Sequence, residues 1–196
     1  AGGGQLAVEH ALASEGVEGL ILAGPSLDIP RTIRDLERLR ARLPAEMQET
    51  LRRHEADGST EAPEYQAVID VLNARHFSLA DPQPDAIANA FANLGDEVYN
   101  TMWGPNEFHA TGTLRTYDIS PRLKELKMPV LFTVGREDEI PPDAVAHYRS
   151  LVPGAKLAVV ERAAHMTMND QPSEYVAVLR SFLRELDARR RSAASP

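Results

Sequence analysis

The sequence contains no cysteine among its 196 residues. Disulfides, a thiolate nucleophile and a cysteine-based zinc site are therefore excluded. No apolar run approaches the length of a membrane span, so we expect no association with a membrane. The 21 basic side chains are outnumbered by 29 acidic ones, which gives a formal net charge of −8. Because phosphate contacts require Lys and Arg and no basic face is evident, nucleic-acid binding is not expected.

What remains is the composition of an ordinary soluble globular protein, with 43% hydrophobic and 26% charged residues. The length suggests one domain that carries a large insertion. The chain opens with Ala-Gly-Gly-Gly and without Met, as expected of a cut or processed protein. No signal peptide is visible, but such a start does not allow export to be judged; the expected location is the cytoplasm.

Three apolar runs predict buried parallel strands. The clearest is 130–134, which follows Pro129 and ends at Gly135. The runs 19–23 and 156–161 have the same character, and an Ala-rich helix precedes the first of them. Alternating helices and strands predict an α/β fold with a parallel sheet.

Between these strands lies a long segment with no convincing strand. Apolar residues recur there at helical spacing, and prolines and glycines separate the helical patterns. We expect an all-helical cap that covers the strand ends and builds a substrate pocket. The predicted division is therefore 1–29 for the first part of the core, 30–118 for the cap, 119–187 for the second part of the core and 188–196 for the tail.

Each of the last two strands is followed by side chains that suit catalysis. Asp138 lies in an acidic turn after one strand, and His165 follows the other. Ligands of open α/β sheets bind just beyond the carboxyl ends of the strands. An Asp followed by a His in this arrangement fits the last two members of a Ser…Asp…His order. For the other five histidines we expect surface or packing roles: His10, His54, His76, His109 and His147.

Four groups of residues share their order and spacing with a known family: 3–7 with 19–22, 102–108 with 111–114, 135–139, and 164–165. The most specific are the Trp-Gly-Pro-Asn-Glu-Phe and Gly-Arg-Glu-Asp-Glu segments. On these residues the chain resembles the C-terminal two-thirds of an α/β-hydrolase of the proline iminopeptidase family. The resemblance implies a partial α/β-hydrolase fold with a helical cap.

The resemblance also implies catalytic roles. Asp138 matches the family's catalytic acid and His165 its general base. A carboxylate at a strand end can accept the imidazole N–H, fix its tautomer and stabilise the imidazolium. Glu137 and Asp143 are the competing carboxylates for this role.

Two further acidic positions match those by which the family is thought to hold the free α-amino group of the substrate. They are Glu107 and Glu139, which would bind an ammonium through charge-assisted hydrogen bonds. Trp103 and Phe108 are expected to wall a small pocket for a proline ring, or else to pack in the core.

The serine nucleophile is missing from this pattern. The G-x-S-x-G signature does not occur in the sequence. When the chain is matched to the family's pattern, Ala1 or the residue before it falls at the serine position. We therefore expect this chain to be inactive alone. It would be part of a longer chain, one piece of a nicked enzyme whose N-terminal segment is a candidate partner, or the later part of a serine-to-alanine variant.

The resemblance thus implies that the parent protein is a serine hydrolase without metal or cofactor. By the same resemblance it would release an N-terminal residue, preferably proline, from short peptides through an acyl-enzyme. An esterase or amidase that acts on small esters or amides, or an epoxide hydrolase of the same fold, is one alternative, because fold does not fix function. A non-catalytic binding protein of the same fold is another.

Overall fold

Three parallel strands form the centre of the structure, a computed structural model that describes residues 2–193. They are β1 (Leu20–Ala23), β2 (Val130–Gly135) and β3 (Lys156–Val160), and their order in the sheet is β1-β2-β3. Every residue of β2 is buried, because β2 lies between two neighbours and is covered on both faces. The predicted α/β fold with a parallel sheet is confirmed.

Helices make up most of the rest of the described residues. In chain order they are α1 (Gly2–Ala13), α2 (Ile29–Arg40), α3 (Ala45–Asp57), α4 (Pro63–His76), α5 (Asp85–Ala92), α6 (Asp96–Met102), α7 (Pro142–Ser150), α8 (Thr167–Asp170) and α9 (Pro172–Ala193). Two short 3-10 helices cover Thr113–Thr116 and Ser120–Glu125. Helix α9 continues beyond residue 187, so the predicted tail begins as helix. No helix of residues 2–193 is both long and apolar enough to cross a membrane.

The helices α2 to α6 form the segment inserted between β1 and β2, and residues 30–118 contain no strand of the sheet. The residues that lead into this segment lie beside the residues that lead out of it. Asp28 and Asp118 form an isolated antiparallel bridge, and the amide of Ile29 donates to the carbonyl of Tyr117 at 2.9 Å. The Asp28 side chain also caps α2 by accepting from the amide of Arg31 at 2.9 Å.

Two separate apolar clusters stabilise these parts. The cluster of the sheet contains Phe132, Val134 and Tyr148 among others. A second cluster holds α2, α3 and α4 together and includes Tyr65 and Leu72, both fully buried. The inserted helices therefore have an apolar core of their own.

Candidate active site

The loops after β2 and β3 bring an acid and an imidazole together. Nδ1 of His165 lies 2.9 Å from Oδ1 of Asp138, and the Asp138 residue is only 2% exposed. The same carboxylate oxygen accepts from the amide of Ile140 at 2.8 Å, which fixes its orientation. Because the carboxylate accepts, Nδ1 of His165 carries the hydrogen in the neutral imidazole, and Nε2 of that neutral form can act as a base.

Gly24, directly after β1, makes room for this pair. A Cβ atom at Gly24 would lie 2.8 Å from Oδ2 of Asp138 and 2.9 Å from the ring of His165. Its φ of +49° is also unfavourable for other residues. The sequence indicates Gly24 only as a turn residue at the end of a strand, because the proximity of three loops is a tertiary property.

The two competing carboxylates do not contact the imidazole of His165. Glu137 is exposed, and Asp143 lies in the first turn of α7. Asp143 forms ion pairs with Arg31 at 3.3 Å and Arg38 at 3.5 Å on α2. Asp143 therefore joins a cap helix to a core helix.

A second carboxylate, Glu139, lies on the other side of the imidazole. It is 2% exposed, and its Oε1 is 3.9 Å from Nε2 of His165. Its Oε2 is buried without a hydrogen-bond partner among the described residues. An unpaired buried carboxylate oxygen is costly, so this atom is suited to receive a donor from a ligand.

Glu139 lines a cavity of about 540 Å³ between the cap and the core. Glu107, from the loop that follows α6, lines the same cavity, as do Trp103 and Gly2. Most of the remaining wall is apolar and comes from α1, α2, α6 and the turn before α6. The structure therefore brings the two predicted amine-binding carboxylates to one cavity next to His165.

The charges of this site perturb one another. Burial raises the pKa of Glu139 to about 8, although the neighbouring His165 acts in the opposite direction. Burial lowers the pKa of His165, but the charges of Asp138 and Glu139 and the hydrogen bond to Asp138 outweigh it and raise the pKa to about 9. A cation bound at this cavity would interact directly with the ionisation of the base.

Tyr99 on α6 is a further part of the cavity wall that the sequence did not single out. Its hydroxyl lies near the carboxylate of Glu107 and interacts with it. Burial raises the pKa of Tyr99, and the charge of Glu107 adds to the effect. The phenol thus stays protonated and can donate to the Glu107 carboxylate. A lone Tyr in a helical pattern carries no signal for such a contact.

The two predicted aromatic wall residues have different places. Trp103 lines the cavity, and its Nε1 donates to the carbonyls of Asn106 at 3.1 Å and Glu107 at 3.3 Å. Phe108 is 2% exposed and packs in the apolar cluster of the cap. The sequence left open whether Phe108 lines the substrate pocket or packs in the core, and in the structure it packs in the core.

A polar network in the cap holds the turn that carries Glu107. The Arg40 guanidinium donates to both carboxylate oxygens of Glu55, at 2.8 and 2.6 Å, and to the carbonyl of Phe108 at 3.2 Å. The Tyr65 hydroxyl donates to Glu55 at 3.1 Å and accepts from Asn106 at 2.9 Å. Because these groups are partly buried and mutually satisfied, the network gives the turn a defined position.

Replacing Phe108 by Ala is expected to destabilise the full-length protein by about 3–5 kcal/mol, the usual cost of removing a buried Phe side chain. Chemical denaturation would measure the loss. Leu183→Ala is the matched control, because Leu183 is 49% exposed and its truncation should cost far less. A small loss for Phe108→Ala, together with a raised KM, would instead mean that the side chain touches substrate.

The predicted serine position falls on Ala1 or the residue before it, and Ala1 lies outside the described residues. Gly2, the first residue of α1, lines the cavity together with Glu139. The amino end of α1 therefore reaches the cavity that Glu139 lines. In residues 2–193 no group of three or more His, Asp or Glu side chains is placed to hold a metal ion.

A sheet with a buried Asp–His pair at its strand ends, under a helical cap, defines an α/β-hydrolase. The chain belongs to the alpha/beta hydrolase family, whose model matches residues 2–178. A protein named proline iminopeptidase from Heyndrickxia coagulans is 36% identical to it over 186 residues, which are 94% of this chain and 65% of that protein. The predicted resemblance to that family is confirmed.

Two crystal structures are also similar to the chain. Proline iminopeptidase from Mycobacterium smegmatis has a TM-score of 0.85 at 32% identity, over 94% of this chain and 63% of that one. VinJ has a TM-score of 0.90 at 33% identity, over 93% of this chain and 63% of that one. The chain thus spans slightly less than two thirds of the length of these proteins.

Proposed function

We propose that this chain is the larger part of a serine hydrolase that releases the N-terminal residue, preferably proline, from short peptides. The observation that carries the proposal is the buried carboxylate of Glu139, which shares a cavity with Glu107 and lies 3.9 Å from the base His165. An enzyme that acts at a free N-terminus must recognise a cation there, and paired carboxylates do so through charge-assisted hydrogen bonds. Relatives named proline iminopeptidase support the choice of proline.

In this proposal the nucleophile is a serine directly before Ala1, or one that Ala1 replaces. His165 takes the serine proton on Nε2 while the serine oxygen attacks the scissile carbonyl, and it returns the proton to the leaving amine. Asp138 stabilises the imidazolium that forms in between. Water then cleaves the acyl-enzyme with His165 again as the base. This chain without its nucleophile would hydrolyse nothing.

The substrate ammonium has a second role in this scheme. Placed between Glu107 and Glu139, its positive charge favours the ionised form of Glu139 and disfavours the protonated form of His165. The pKa of both groups therefore falls when the substrate binds. The pKa of the base, raised to about 9 by its neighbouring carboxylates, is thereby moved closer to the pH at which it must accept a proton.

The test is the hydrolysis of a prolyl arylamide by the full-length gene product, beside the same arylamide with its amine acetylated. We expect cleavage of the free amine only. Equal cleavage of both would reject amine recognition and favour a general esterase or amidase. Cleavage of neither, by a folded protein with an intact G-x-S-x-G serine, would favour another substrate class or a non-catalytic role. If the residue at the elbow of the full-length gene is Asp, an epoxide hydrolase is favoured instead.

A further inference from the structure

The last residue of α4 and the residues after it, here called the 76–79 segment, connect the cap to both catalytic loops. The carbonyl of His76 accepts from two amides, that of Glu139 and that of His165, each at 3.1 Å. One acceptor thus joins the loop after β2 to the loop after β3. These two amides belong to Glu139, the proposed amine-binding residue, and to His165, the base.

The side chain of His76 adds a third hydrogen bond, which is the second one with the loop after β2. Its Nδ1 lies 2.8 Å from the carbonyl oxygen of Glu137, so Nδ1 carries the hydrogen and donates it. The residue is 8% exposed. Burial lowers the pKa of His76, although its hydrogen bond to the Glu137 carbonyl acts in the opposite direction. The imidazole is therefore a neutral donor near neutral pH.

Phe77 contacts the base directly. Its ring centroid is 6.0 Å from that of His165, with an angle of 35° between the ring planes. Its carbonyl accepts from the amide of Met166 at 2.8 Å. The Phe77 ring also packs against Phe91 of α5, at 5.3 Å between centroids. The catalytic imidazole is therefore partly covered by a cap residue.

Asp170 at the end of α8 completes the connection. Its Oδ1 accepts from the hydroxyl of Ser78 at 2.9 Å and from the amide of Leu79 at 3.0 Å. Its Oδ2 accepts from the amide of Ala164, next to the base, at 2.8 Å. The loop that carries His165 is thus hydrogen-bonded to the 76–79 segment both directly and through one carboxylate.

We infer that the 76–79 segment is a positioning element for the proposed active site, and that His76 is its key positioning residue. His76 holds the loop of Asp138 and Glu139 at a fixed distance from the loop of His165. The geometry of the acid and base is therefore set by the cap as well as by the sheet. This inference rests on the proposed function only in naming Asp138 and His165 as the catalytic pair.

The sequence predicts a surface or packing role for His76. The residue is buried as packing requires, but its carbonyl and its ring nitrogen both bind the catalytic loops. Reactions that depend on aligned groups lose on the order of 100-fold in rate when a group is displaced by about 1 Å. Loss of the His76 side-chain donor should therefore act on catalysis and not only on stability.

The experiment compares His76→Leu with His76→Asn in the full-length protein. Leu fills the space without a donor, whereas the Asn side-chain amide can donate from nearly the same position as Nδ1. We expect His76→Leu to lower kcat for the prolyl arylamide by about 10- to 100-fold with little change in KM. His76→Asn should retain most of the rate. His54→Leu is the matched control, because His54 is similarly buried in the cap but hydrogen-bonds to Ser59.

A second readout does not depend on the substrate or the nucleophile. The pKa of His165, measured by NMR titration of its imidazole, should fall in His76→Leu, because the base moves away from the two carboxylates that raise it. It should be retained in His76→Asn and His54→Leu. Loss of thermal stability in His76→Leu with an unchanged His165 pKa and kcat would overturn the inference. So would equal effects of the Leu and Asn variants. A wild-type protein that cleaves no prolyl arylamide would reject the proposed function, while the NMR comparison would still decide the role of His76.

Discussion

Replacing Glu139 by Gln is expected to abolish the preference of the full-length protein for substrates with a free N-terminal amine. Glu139 is buried beside the base, and its Oε2 is unpaired among the described residues. Removing one member of a buried charge pair costs about 2–5 kcal/mol. The value of kcat/KM for a prolyl arylamide should therefore fall on the order of 30-fold or more, while an ester without an amine should react no more slowly.

Glu137→Gln is the matched control, because Glu137 is a nearby but exposed carboxylate of the same turn. It should leave the selectivity for the free amine unchanged. If Glu139→Gln lowered the rates of the amine and of the amine-free ester equally, the carboxylate would serve the base and not the substrate. That result would reject the proposed recognition of an ammonium.

The same variant has a predicted pH dependence. The charge of Glu139 is one of the causes that raise the pKa of His165 to about 9. The base acts only when it is neutral, so activity is lost as the pH falls below this pKa. Glu139→Gln removes the negative charge, lowers the pKa of His165 and shifts the acid limb of kcat/KM to lower pH. Measurement with an amine-free ester separates this effect from binding of the ammonium.

The second large effect is expected for Asp138→Asn, which should lower kcat by about 10⁴-fold, as this change does in a Ser-His-Asp triad. Asn can donate to Nδ1 of His165, which favours the wrong tautomer and puts the hydrogen on Nε2. KM should change little, because Asp138 does not line the cavity. Steady-state kinetics on the prolyl arylamide, with circular dichroism to verify folding, would measure the loss.

Asp143→Asn provides the comparison for that variant. Asp143 is the other aspartate close to the strand end, but its carboxylate pairs with Arg31 and Arg38 and not with the imidazole. Its loss should change kcat by less than about 3-fold, since exposed ion pairs contribute about 0–1 kcal/mol. Equal losses for the two variants would mean that Asp138 acts through the fold and not through His165.

The sheet and the Asp–His pair could be predicted from the sequence because their signals are local. A buried strand such as 130–135 is an uninterrupted apolar run, and the acid and base follow closely after two such runs. The ends of parallel strands meet at one edge of a sheet, so the order of the elements alone brings Asp138 and His165 together. The cap was predicted in the same way, from helical spacing and the absence of strand patterns.

What the sequence could not predict depends on contacts between distant segments. His76 lies at the end of a cap helix, and His165 lies 89 positions later, so nothing in the spacing indicates that the amides of Glu139 and His165 share the His76 carbonyl as acceptor. Phe108 and Trp103 have similar local contexts, yet one packs in the cap and the other lines the cavity. Side-chain direction in an irregular loop is set by its tertiary neighbours, here the partly buried network around Glu55.

The bridge between Asp28 and Asp118 places the two junctions of the helical insert with the core side by side. Two adjacent junctions of this kind are the natural points at which to exchange the insert for that of a relative. The last turn of α4 limits this freedom. A grafted insert would be joined to the host at two peptide junctions. It would also have to form the hydrogen bonds that His76 makes with the loops after β2 and β3. We therefore expect that a grafted insert must have a third helix, the counterpart of α4, that is compatible with the host loops. We expect that a chimera designed on the two covalent junctions alone would fold, but that its catalytic acid and base would be misaligned.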